Sequence, residues 1–192
     1  MMMLAFVFCA FLGGCAATGE LAKTAGVSSR QDIVAEQAPG QPVPPGYAEL
    51  RIVSSLKTHK PGGAFGGDGH GTPEYKLLLN IGGQVTEIAG DLREENRKSG
   101  SSKDPEEGEG IRYQFMRNLH VKAGTYRIVA ALPADNVAIE REIALAEGST
   151  NTLLLEPLYH LRLTHRRLGE GRLPTFKQGI KQFRAVLNGT PL

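Results

Sequence analysis

From Tyr47 onward, apolar and polar residues alternate with period two through most of the chain, and that alternation predicts strands. Leu50 and Ile52 share one face of a strand over 48–53. Leu77, Leu79 and Ile81 share a face of the next, and Val85 to Ile88 follow across Gly82-Gly83, a hairpin signal. Ile111, Tyr113 and Phe115 alternate with Arg112 and Gln114. Three further strands are predicted over 126–132, 137–146 and 152–155, separated by turns at 133–136 and 147–149. No helical period lasts three turns between residues 47 and 160, which argues against a parallel α/β fold. Short strands between Gly, Pro and Asn turns predict an all-β fold: a single Ig-like antiparallel β-sandwich occupying 46–192.

Several segments break the pattern. Residues 60–72 are rich in glycine and predict a mobile loop. Residues 91–110 carry charge with almost nothing apolar, so they predict a solvated excursion that opens with no more than a helical turn. Beyond Tyr159, Leu161 and Leu163 alternate with Arg162 and Thr164. After a glycine- and proline-containing stretch, Phe176, Ile180, Phe183, Val186 and Leu187 recur at mixed spacing, which fits a short helix or a last strand.

The amino terminus is of another kind. Met1 to Leu12 is wholly apolar, of signal-peptide h-region length and too short to span a bilayer. Small residues follow at once, and Leu12-Gly13-Gly14-Cys15 resembles the lipobox of bacterial lipoproteins. The resemblance implies that 1–14 is a lipoprotein signal peptide. Cys15 would then be diacylated on sulfur, become the first mature residue and be N-acylated, its chains being of the palmitate class. Two or three acyl chains anchor stably where one does not. Ala16 after the cysteine implies sorting to the outer membrane, on its periplasmic face. Residues 15–45, rich in Ala, Gly, Ser, Gln and Pro, predict a flexible tether.

A second, looser resemblance lies in Val121 to Pro157. Gly124, Tyr126, Gly148, Leu153 and Leu155 match the hairpin, turn and closing strand of PEGA-type and related transthyretin-like (carboxypeptidase-regulatory-like) modules. It implies a transthyretin-like variant of the same sandwich and nothing about a ligand.

Composition narrows the function. The 192 residues fit one domain with appendages, and 41% apolar with 22% charged residues excludes disorder throughout. With 22 Lys plus Arg against 20 Asp plus Glu, the net charge of +2 lacks the basic excess of a nucleic-acid binder. Of the 2 cysteines, Cys9 falls in the leader and Cys15 takes lipid, which leaves the mature chain without a thiol for a disulfide, a zinc site or a nucleophile.

Candidate chemistry is sparse. The glycine loop ends in no Lys-Ser/Thr, so it has no phosphate-loop context. His59, Asp68 and His70 flank that loop and are the types that hold zinc or copper. Ser54 or Ser55 beside His59 is a formal nucleophile–base pair. Glu140 and Glu142 share a strand face, which puts Arg141 on the core side between Ile139 and Ile143. Arg162, Arg166 and Arg167 make the C-terminal segment basic, a contact surface for an anionic lipid, lipopolysaccharide phosphates or an acidic envelope partner. The expected function is therefore that of a lipid-anchored cell-envelope protein whose β-sandwich binds or scaffolds without catalysis and without a cofactor, as an accessory subunit of an envelope assembly. The alternative is a metal-binding or hydrolytic periplasmic enzyme built on His59, Asp68 and His70.

Overall fold

The computed structural model describes residues 14–36, 41–61, 69–98, 103–166 and 169–192. The protein is all-β, as the alternation predicts. Helix α1 (Gly14–Thr24) and the short β1 (Val34–Glu36) precede β2 (Tyr47–Thr58), β3 (Lys76–Ile81), β4 (Gln84–Arg97), β5 (Gly108–Lys122), β6 (Gly124–Leu132) and β7 (Val137–Leu145). Then come β8 (Thr150–Tyr159), β9 (Leu161–Arg166), β10 (Gly169–Pro174), β11 (Ile180–Leu187) and β12 (Thr190–Pro191). Single 3₁₀ turns occupy Pro133–Asp135 and Phe176–Gln178.

One curled sheet runs in the order β12-β11-β8-β2-β5-β4-β3-β6-β7, while β9 and β10 pair only with each other. The curl is made by β4. Its first part, Gln84 to Ala89, pairs with β3, and its second, Gly90 to Arg97, pairs with β5. A Cβ on Gly90 would meet the Phe115 ring at 2.9 Å and the Tyr113 ring at 3.0 Å, so only glycine lets the strand turn over those rings. The two stretches of sheet that result enclose the core. Leu50, Ile52 and Leu56 of β2, Leu77, Leu79 and Ile81 of β3, Tyr113 and Phe115 of β5, and Leu153 and Leu155 of β8 are all buried in it. Next to the two ends of the path, β7 and β11 lie side by side, and Arg141 on β7 donates to the Leu192 carbonyl at 2.9 Å. That contact explains the arginine which alternation places among core positions: the side chain is exposed at the sheet edge and caps the chain end.

Antiparallel pairing holds with one exception, since β2 and β8 pair in parallel from Glu49↔Thr150 to Ser54↔Leu155. The apolar residues at mixed spacing near the C-terminus form a strand, β11. A register shift between Ile180 and Gln182 turns Phe183 inward, so a bulge replaces the regular period. Gly82 (φ +54°) and Gly83 (φ +97°) make the expected hairpin turn, in which both central residues need positive φ.

Two expectations need correction or completion. Of the charged stretch 91–110, residues 91–97 belong to β4 and 108–110 to β5, so its described ends are strand and not a helical turn. Charged residues form these strands because their partners lie across the ladder and between the two strands. And two pieces of the stretch 15–45 expected as a tether are docked in this structure. Ala22 and Ala25, at and just beyond the end of α1, are buried with Val129, Ala131 and Ala138 on the outer face of β6 and β7. β1 pairs with β5 where β4 has left it, Val34↔Val121 to Glu36↔Leu119. Gln84 fixes this strand with its side chain. Its Oε1 accepts from the Ile33 and Val34 amides at 2.8 and 2.7 Å, and its Nε2 donates to the Val34 carbonyl at 2.9 Å.

Candidate binding cavity at the polar end of the sheet

The registers bring the end of β2, the start of β3, the start of β5, the end of β6, the end of β8 and the start of β11 to one rim. At that rim Lys57 of β2 faces outward directly opposite Arg112 of β5. Like charges so placed repel. Yet Lys57 is 0% exposed and Arg112 6%. Glu95 of β4, Glu106 before β5 and the Gly108 carbonyl at its start supply the compensation. Lys57 Nζ donates to the Glu106 and Gly108 carbonyls at 3.0 and 2.5 Å and lies 3.7 Å from Glu95. Arg112 donates to Glu95 at 2.9 and 2.7 Å and to Glu106 at 2.7 Å. Tyr159 closes the network, donating to Glu106 at 2.8 Å and accepting from the Lys57 amide at 2.9 Å.

Burial lowers the affinity of Lys57 for its proton, and the Arg112 charge adds to that, with Glu95 and Glu106 opposing. Burial acts on Glu95 in the direction of a higher pKa. The Arg112 hydrogen bonds and the Arg112 and Lys57 charges outweigh it and hold the carboxyl below its usual value. Burial pushes the Tyr159 hydroxyl up, and the Glu106 carboxylate pushes it further.

Beside this network a cavity of about 400 Å³ opens, lined by residues 57–59, His70, Asp135 and 176–180. Asp135 ends the 3₁₀ turn after β6, where the left-handed Asn136 (φ 54°) reverses the chain. Its two oxygens are both engaged: Tyr75 donates to Oδ2, and His70 Nε2 lies 3.2 Å from Oδ1. The Tyr75 hydroxyl is pushed well up by burial and then by the Asp135 charge. The His70 ring lies between those of His59 and Tyr75, with centroids 4.7 and 4.9 Å away and the planes tilted at 58° and 39°. Across the cavity, Phe176 is buried by the hydrogen bond from its amide to the Pro105 carbonyl, at 2.9 Å. The Lys57 and Lys177 ammonium groups lie 4.9 and 6.0 Å from the centre of its ring.

The residues singled out in the sequence distribute as follows. His59 and His70 meet at the cavity. Asp68 lies outside the described residues, and the carboxylate that joins His70 is Asp135, far along the chain. Among the described residues no group of three His, Cys, Asp or Glu side chains is placed to hold a metal ion. Ser54 is buried and donates to the Leu155 carbonyl at 2.7 Å, a bond of the parallel β2–β8 seam, while Ser55 lies 3.3 Å from Arg112 Nη1. Glu140 is 3.3 Å from Arg127 on the solvent face. Arg162 is exposed and lines a second hollow of about 360 Å³ together with Asp104, Glu107 and Lys177. Arg166 pairs with Gly169 in the β9–β10 ladder, and Arg167 lies outside the described residues. Cys15 is in the first turn of α1, and no helix among the described residues is long and apolar enough to cross a membrane.

Sequence reading missed Lys57, Tyr75, Asp135, Phe176 and Lys177. One signal was present. Leu56-Lys57-Thr58 ends a strand whose alternation puts Lys57 outside, so its burial depends on partners that only the fold reveals. No protein-family model, no curated protein and no solved structure matches this chain. The class that can be stated is therefore structural: an all-β protein on one curled sheet, with a small polar cavity at one rim.

Proposed function

We propose that this chain is a lipid-anchored binding protein of the cell envelope, with the cavity rim as its binding face and no chemistry performed on what it holds. The observation that supports binding is the mutual engagement of the rim's charged groups. Lys57, Arg112, Glu95, Glu106 and Asp135 are tied to one another or to the backbone, which makes them a rigid frame of fixed charge. The anchor half of the reading rests on Leu12-Gly13-Gly14-Cys15 following an uninterrupted apolar run. With α1 docked, an acylated Cys15 would sit about 15 Å along the helix axis from the buried Ala25, at 1.5 Å per residue, so the domain would stand close to the membrane.

The test is expression of the full chain in a diderm bacterium fed an alkyne analogue of palmitate. The wild-type protein takes the label and fractionates with the outer membrane, and Cys15→Ser abolishes both. An unlabelled wild-type protein, or equal labelling of the variant, sinks the anchor.

A further inference from the structure

We infer that the cavity at the rim takes a small organic anion with a flat apolar body, its charge held by Lys177. This rests on reading the rim as the binding face and is independent of the anchor. Lys57 cannot serve a ligand, because its ammonium already donates to two carbonyls and faces Glu95. Asp135, the one carboxylate on the cavity wall among the described residues, is occupied on both oxygens by Tyr75 and His70, so it does not present a bare anion to the space. Lys177 remains. It is exposed, lines the cavity, stands beside the Phe176 ring and has no carboxylate within ion-pair distance among the described residues. It also borders the neighbouring hollow, where Arg162 is balanced by Asp104 and Glu107, so the cationic charge offered to the cavity is that of Lys177 itself.

The body of the ligand is set by the other walls. Phe176 and Ile180 are apolar, and the imidazoles of His59 and His70, tilted at 58° to each other, add ring surface with nitrogens at the edges. A volume of about 400 Å³ is at the lower end of small-molecule pockets. An aryl carboxylate or aryl phosphate meets all three conditions of charge, flatness and size. Among the described residues no group of three His, Cys, Asp or Glu side chains is placed to hold a metal ion there.

The experiment is thermal unfolding and calorimetric titration of the purified full-length chain in neutral detergent at low salt. The probes are benzoate and phenyl phosphate, with benzyl alcohol and phenol as their uncharged counterparts. Either aryl anion is expected to raise Tm in a saturable way at millimolar concentration, while the neutral pair does not. Lys177→Ala should weaken that binding about tenfold or more, and Phe176→Leu should weaken it less. Lys181→Ala, an exposed lysine outside the cavity, should leave it unchanged. Equal response to the charged and neutral probes, no response to any of them, or equal loss in the Lys177 and Lys181 variants overturns the proposal. Each of these results leaves the palmitate labelling of the wild-type chain as it was, so failure of the ligand and failure of the anchor are read separately.

Discussion

At one end of the curled sheet Ile33 and Tyr126 lie over the Gly82-Gly83 turn, so close that a Cβ on Gly82 would meet them at 2.8 and 2.9 Å. At the other end Lys57 and Arg112 lie side by side, neutralised by Glu95 of β4, the Gly108 carbonyl at the start of β5 and Glu106 between the two strands. Both ends are closed by close contacts, and for different reasons. The first is closed by apolar contact and by Gln84, whose amide stands in for a strand edge. The second is closed by an ionic network that had to be satisfied group by group, because one missing partner leaves a charge buried. The apolar end tolerates loss gradually, and the ionic end does not. The ionic end also has the larger hollow, about 400 Å³ against about 290 Å³ beside Gly82 and Gly83.

Removing one ion should break the comparison most sharply. Arg112→Ala leaves Glu95 and Glu106 without their main donor and should cost about 3–5 kcal/mol in urea unfolding. A loss below about 1 kcal/mol would mean that water enters and replaces the guanidinium. At the other end Ile33→Ala should cost about 2–3 kcal/mol and open the segment before β2 to limited proteolysis, while the core strands stay protected from hydrogen exchange.

The pH dependence should separate the ends as well. Glu95 is depressed in the fold, so its contribution is present above its unfolded value near 4.3 and is lost as pH falls through the lower folded value. In the alkaline range Tyr113 is raised to about 12 by burial, and Tyr75 and Tyr159 are raised too. These hydroxyls favour the fold while protonated, and that advantage is lost as pH climbs from 10 through their folded values. Ultraviolet titration should therefore show three of the 5 tyrosines ionising only together with unfolding.

Smaller effects are expected at the N-terminal seam. Gln84→Ala removes three hydrogen bonds to residues 33 and 34 and should cost about 1 kcal/mol, seen as faster exchange of the Val34 amide. Asp32 is drawn down to about 2 by the Arg30 hydrogen bonds and, against the opposing effect of burial, by Lys122, but it is exposed. Asp32→Asn should leave Tm unchanged.

The strands of the core were legible because their alternation is a local property. Leu77, Leu79 and Ile81 point inward whatever their partners are. The Gly-Gly hairpin was legible for the same reason. What could not be read was set by distant partners. Arg93, Glu95 and Arg97 look like a solvated run until Gly108 to Arg112 is laid beside them. Phe183 looks out of phase until a bulge shifts it. The cavity shows the limit most plainly. His59 and His70 were singled out as a pair and do meet, but the carboxylate beside His70 comes from a turn 65 residues on. No spacing rule joins those positions. Asp135 sits in a Pro-Ala-Asp-Asn stretch whose residue types announce a turn and nothing more.

The parallel seam between β2 and β8 carries a consequence for how the molecule assembles. Ser54 and Leu155, hydrogen-bonded across it, stand 101 residues apart in the chain. A chain made from its N-terminus can pair β2 with β5 long before β8 exists, and can add β3, β4, β6 and β7 by local hairpins. The free flank of β2 must then wait, unsatisfied, for the C-terminal third. Closing so long a loop is slow, and until it closes an open edge invites a strand from another copy. Refolding should accordingly show an early phase insensitive to changes in β8 and a late one slowed by Asn151→Ala, the side chain that bridges Glu49 and Ser149 at the start of the seam.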